Sequence, residues 1–157
     1  LLDELLDEAE KCGIEVIEHP FKCLKLKGLY VDGVITLNSA AISTIVEKTC
    51  VVVEELGHHH KSAGNILDQN DIRNRKQELR GRDWGYERAI PLSSFIRAHQ
   101  AGIRTKHELA EFLGVTEEYL LDAIERYRQR YGLYVDMGDH FVHFDPLGIT
   151  YCFRNID

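Results

Sequence analysis

With 157 residues, 44% of them apolar, and 26 acidic against 19 basic side chains for a net charge of −7, the chain has the make-up of one globular domain that needs no disulfide or metal staple to bury a core. The acidic balance argues against a nonspecific nucleic-acid binder, and no segment reaches the length of a membrane span. Cys12, Cys23, Cys50 and Cys152 form no CxxC pair and read as reduced thiols of a cytoplasmic protein, and the start LLDELLDEAEKCG lacks the basic head and cleavage site of an export signal.

Leu1, Leu2, Leu5, Leu6 and Ala9 recur at helical spacing, and Gly13 closes that helix before a short alternating strand, EVIEHP. LYVDGVITLN, residues 29–38, predicts two strands around an Asp32-Gly33 turn. From about Ser39 to about Lys61 only Gly57 interrupts a run whose Ile42, Ile45, Val46, Thr49, Val52 and Val53 give a broad apolar face, the pattern of a central, buried helix. SAGNILDQND is the expected loop, followed by a densely charged helix from about Asp71 to Ile90 that Pro91 halts. Three shorter helices are expected over 92–101, 105–113 and 116–131, the second opened by a Thr105/Glu108 capping box. The tail alternates apolar and polar residues across turn signals at Gly138-Asp139 and Pro146 to Gly148, as small antiparallel strands do.

The chemistry concentrates in CVVVEELGHHHKSAGNI, residues 50–66, which departs from the zinc-peptidase helix HExxH only by a glutamate in place of the first histidine. Residues four apart lie one turn up the same helix face, so Glu54 and His58 take the two ligand positions and Glu55 takes the general-base position. The substitution acts through charge. Two histidines and one carboxylate leave a net positive charge at Zn²⁺, whereas Glu54, His58 and a second carboxylate cancel it formally and weaken its Lewis acidity. The oxygen-richer set is friendlier to Mn²⁺ or Fe²⁺, although the Irving-Williams order still favours zinc.

Other readings stay open from the residues alone. Glu55 and His59 form a parallel stripe that would place Leu56 where the base belongs, and His60 points roughly opposite Glu54. The triplet His58, His59 and His60 also fits a polar helix end without metal. A third ligand from the following charged helix has three candidates, Glu78, Asp83 and Glu87, of which Glu78 shares a face with Asp71 and Arg75.

KGLYVDGVITLNSAA, TCVVVEELGHHHKSAGNI and NRKQELRGRDWGYERAIPL together resemble the ImmA/IrrE family of metallo-endopeptidases, most of all its phage and mobile-element branch. The likeness extends to ELAEFLGVTEEYLLDAIERY, while Gly81 and Arg82 replace an Ala-Asn pair of the family pattern. Aligning Pro91 with the family's final proline puts Glu78 at its metal-binding glutamate. The resemblance implies an α+β, zincin-like fold in which a small antiparallel sheet packs on a central motif helix, with further helices and a C-terminal β-hairpin. It implies a single domain over 1–157, with a metal-site half at 1–91 and a helical and hairpin part at 92–157. The expected activity is a cytoplasmic zinc endopeptidase with Glu54, His58 and Glu78 as ligands and Glu55 as base, acting on a helix-turn-helix repressor of a phage or mobile element. The rival expectation is an inactive module of the same fold that binds the repressor without cutting it.

A third reading takes TKHELAEFLGVTEEYLL as a DNA-binding helix-turn-helix. Glu117, Glu118 and Asp122 at the start of its second helix would face phosphates, and Arg126, Arg128 and Arg130 come too late, so no direct nucleic-acid contact is expected. His19 before Pro20, and His140 and His143 in the terminal hairpin, have ordinary structural explanations.

Overall fold

A computed structural model describes residues 1–61 and 72–152, leaving out the side chains of 72–74. The expected loop 62–71, Asp71 included, lies outside the described residues. The chain divides into two units, Leu1–Ala89 and Ile90–Asp157.

In the first unit, helix α1 (Leu2–Lys11) turns its buried Leu5 and Ala9 inward and ends at Gly13, whose φ of +71° suits a residue without Cβ. Strand β1 (Glu15–His19) follows, then the hairpin of β2 (Gly28–Val31) and β3 (Val34–Asn38), whose Asp32 and Gly33 both take positive φ as a two-residue turn requires. The sheet order is β1-β3-β2, with β2 antiparallel to β3 but β1 parallel to it. The expectation of an antiparallel sheet therefore needs correction: the sheet is mixed. The reason lies in β3, whose Ile35 and Leu37 are fully buried, so that it takes the centre and β1 pairs along its far edge.

Asn38 ends β3 and is fully buried. Its Oδ1 accepts from the Phe21 and Ala40 amides at 2.9 and 3.1 Å, and its Nδ2 donates to the Cys23 and Leu26 carbonyls at 3.2 and 2.7 Å. One side chain thus pairs three backbone groups of the β1–β2 connection and one just after β3, and its burial would be costly unpaired.

Helix α2 (Ile45–Lys61) starts six residues later than the apolar pattern predicts. The cause is a capping box: Thr44 Oγ1 accepts from the Glu47 amide at 3.1 Å, and Glu47 Oε2 accepts from the Thr44 and Ser43 amides at 3.2 and 2.8 Å. Thr49 to Val53 and Glu55 to Gly57 are buried, which makes α2 the central helix of its unit. Helix α3 (Ile72–Ala89) packs along it.

The second unit holds α4 (Leu92–Gln100), α5 (Lys106–Leu113), α6 (Glu117–Tyr131) and a meander of β4 (Tyr134–Asp136), β5 (His140–Phe144) and β6 (Leu147–Tyr151). The Thr105/Glu108 capping box forms as expected. The tail carries three antiparallel strands rather than one hairpin. Phe95, Tyr127 and Phe144 meet in this unit's core, and Tyr127 donates to the Ile90 carbonyl at 2.8 Å. His143 hydrogen-bonds Thr150 within the sheet. None of the four cysteines forms a disulfide.

Candidate metal centre

Two glycines bring α2 and α3 into backbone contact. A Cβ on Gly57 would stand 2.3 Å from the Gly81 carbonyl oxygen, and one on Gly81 would stand 3.3 Å from both the Gly57 carbonyl carbon and His58 Nδ1. No larger residue fits at Gly57 without separating the helices. The crossing brings Glu78, nearly one turn before Gly81, against the face of α2 that carries Glu54 and His58.

Glu54, His58 and Glu78 each present one ligand atom there, and the three atoms lie within 4.8 Å of one another. His58 Nε2 approaches Glu78 Oε2 at 3.6 Å. His58 and Glu78 are largely buried, whereas Glu54 is 39% exposed and opens the cluster to solvent. His58 Nδ1 is buried without a hydrogen-bond partner among the described residues. Two carboxylates and an imidazole converging on one point form a donor set that fits a divalent cation. Asp83 and Glu87, the other acids the spacing offered, are not in the cluster.

Glu55 lies on the neighbouring face of α2, 8% exposed. It packs under β2 where Gly28 crosses the helix: a Cβ at Gly28 would lie 2.4 Å from Val51 Cγ1 and 2.8 Å from Glu55 Oε1. Burial first, then the charges of Glu54 and Glu78, push the Glu55 carboxyl up to about 8, against the pull of a hydrogen bond from the Tyr30 backbone amide. Without a cation nearby this carboxyl is held protonated at neutral pH. A divalent charge beside it favours the ionised form that a general base requires.

The three histidines have three different surroundings. His58 faces the cluster. His59, the ligand of the alternative register, shares a 2.7 Å hydrogen bond with the Tyr30 hydroxyl and meets that ring edge to face. His60 lies over Trp84 with ring centroids 4.5 Å apart and reaches Glu8 Oε1 at 3.2 Å, while Arg88 holds the other oxygen of Glu8 at 2.9 Å. The outer histidines therefore anchor α2 to β2, α1 and α3. Burial, then the neighbouring His60, lowers the His59 pKa.

Sequence reasoning missed one member of the site. Arg82 Nε stands 3.0 Å from Glu78 Oε1 and 3.7 Å from Glu54 Oε1, spanning both carboxylates. Its i,i+4 spacing to Glu78 was readable, but its approach to Glu54 depends on the glycine crossing.

Among the described residues no helix is long and apolar enough to cross a membrane. Neither a curated protein nor a solved structure matches the chain. A family model does: the M78 peptidases, described as an IrrE N-terminal-like domain, match residues 9–125, more than half of the chain, and that span contains both helices of the cluster and the strands beside it. An α+β chain with a carboxylate-imidazole cluster beside a buried glutamate suits a metallopeptidase-like domain, and by this match the chain belongs to the ImmA/IrrE family.

Proposed function

We propose that the protein is a zinc-dependent endopeptidase in which Glu54, His58 and Glu78 hold the ion and Glu55 is the general base. The observation that carries this reading is the convergence of the three donors next to a buried, proton-holding Glu55 on the same helix. A bound zinc ion would supply Lewis-acid polarisation of the scissile carbonyl and activation of water. The protein's own part is proton transfer and positioning. Glu55, ionised beside the cation, takes a proton from the attacking water and delivers it to the departing amine. The His59–Tyr30 and His60–Trp84 contacts hold α2 against its neighbours.

The substrate we infer is a helix-turn-helix repressor of a phage or mobile element, cut in the cytoplasm. Its support is the resemblance of the EELGH segment and its flanks to that branch of the family. The test is Glu55→Gln: zinc measured in the reloaded protein stays near one equivalent while repressor cleavage is lost. If the wild-type protein, purified without chelator and reloaded with Zn²⁺, holds none, the reading fails.

One observation favours a second reading. Arg82 occupies both carboxylates as a counter-ion, an arrangement that also suits a module that binds the repressor without hydrolysis. That reading expects repressor association to survive both Glu55→Gln and His58→Ala, with no cleavage by the wild type at any zinc concentration.

A further inference from the structure

The carboxylates of Glu54 and Glu78 are drawn to one point by the helix crossing, and like charges at such separations repel. The guanidinium of Arg82 answers that repulsion. Within Glu78 the two oxygens divide their partners: Oε1 receives Arg82 at 3.0 Å, and Oε2 faces His58 Nε2 at 3.6 Å. Arg82 therefore occupies one side of the carboxylate and turns the other toward the cluster. Its contact with Glu54 Oε1, at 3.7 Å, ties the ligand-bearing faces of α2 and α3 through one side chain.

We infer that Arg82 is an internal counter-cation of the Glu54–Glu78 pair: it helps hold the two carboxylates together in the metal-free protein and adds one positive charge to the site once a divalent ion is bound. The inference rests, for its second half, on the reading of Glu54, His58 and Glu78 as ligands. Two carboxylates around a divalent ion cancel its charge; Arg82 returns one positive charge to the assembly, the same total as two histidines and one carboxylate would leave. The site recovers electrophilic character, and weaker binding of the ion is the consequence, because a fixed positive charge beside the ligands repels it. Arg82 is thus a positioning residue acting through the carboxylates.

The experiment compares wild type with Arg82→Gln and Arg82→Lys in the full chain. Gln is as good a helix former as Arg, so α3 itself is not weakened. Thermal melts are run with a chelator at low and high salt, and Zn²⁺ affinity is measured by competition with a chromophoric chelator. Arg82→Gln is expected to lower the melting temperature of the metal-free protein by about 2–4 °C at low salt, and less at high salt. It is expected to bind Zn²⁺ roughly tenfold more tightly, while Arg82→Lys stays close to wild type in both. In a Glu54→Gln/Glu78→Gln background the two carboxylate charges are gone, and Arg82→Gln is expected to lower the melt much less than in the wild-type background. An unchanged metal-free melt in Arg82→Gln, or an equal drop in that neutral background, overturns the counter-cation. Zinc affinity that stays level or weakens overturns its role in the loaded site. If no form binds zinc, the ligand reading fails and the second half with it, while the melts still decide the first.

Discussion

Glu47 and Glu55 stand on one helix two turns apart, and their carboxyls are driven in opposite directions. At the first turn of α2, hydrogen bonds from Ser43, backbone first and side chain next, hold the Glu47 carboxyl down at about 2. At the other end, burial with Glu54 beside it pushes the Glu55 carboxyl up to about 8. A carboxylate wrapped in donors is satisfied and has only a structural task. One buried among acids retains its proton at neutral pH. The difference lies in what the fold brings to each end: the local turn of residues 43–44 to Glu47, and the distant β2 and α3 to Glu55.

The largest way to break this contrast is to move α3 away. Gly57→Ala places a methyl group 2.3 Å from the Gly81 carbonyl oxygen, and the strain is expected to cost roughly 2–4 kcal/mol. Chemical denaturation checks the loss, and a parallel loss of zinc binding is expected because Glu78 no longer faces His58. Gly81→Ala, with its nearest contacts at 3.3 Å, is expected to be milder.

Glu55 sharpens the contrast through pH. Its folded pKa is raised, so its stabilising effect on the metal-free protein is complete below about 4.5 and is lost as pH rises through about 8. Urea unfolding with a chelator should show stability falling across that window, and Glu55→Gln should flatten the fall. Zinc should flatten it as well, by favouring the ionised form.

The smallest effect belongs to the other end. Glu47→Ala removes half of a capping box and is expected to cost about 1 kcal/mol at neutral pH. Here the folded pKa is lowered, so the contribution is present above about 4.5 and is lost as pH falls toward about 2, the reverse of Glu55. Acid titration of stability in the two variants distinguishes these signs.

The legible part of the molecule was the part written in local spacing. Glu54, Glu55 and His58 could be set on adjacent faces of one helix because three- and four-residue offsets determine that, and the Asp32-Gly33 hairpin followed from its turn chemistry. The start of α2 was also readable, since Thr44 and Glu47 repeat the Thr105 and Glu108 pattern, but the apolar run upstream obscured it. What escaped reading depends on contacts distant in sequence. Glu78 could not be singled out from Asp83 and Glu87 by spacing, because the choice is made where Gly57 meets Gly81. The parallel pairing of β1 with β3, the Asn38 hub, and the bonds of His59 to Tyr30 and His60 to Glu8 join segments that nothing in the local pattern connects.

The most direct measurement is anomalous diffraction at the zinc edge from crystals of the zinc-loaded protein. The account predicts one peak bounded by Glu54, His58 and Glu78, with ligand distances of about 2.0–2.2 Å and Arg82 retained on the outer oxygen of Glu78. No peak there, with Arg82 still spanning both carboxylates, or a peak on Glu55 and His59 instead, would contradict it.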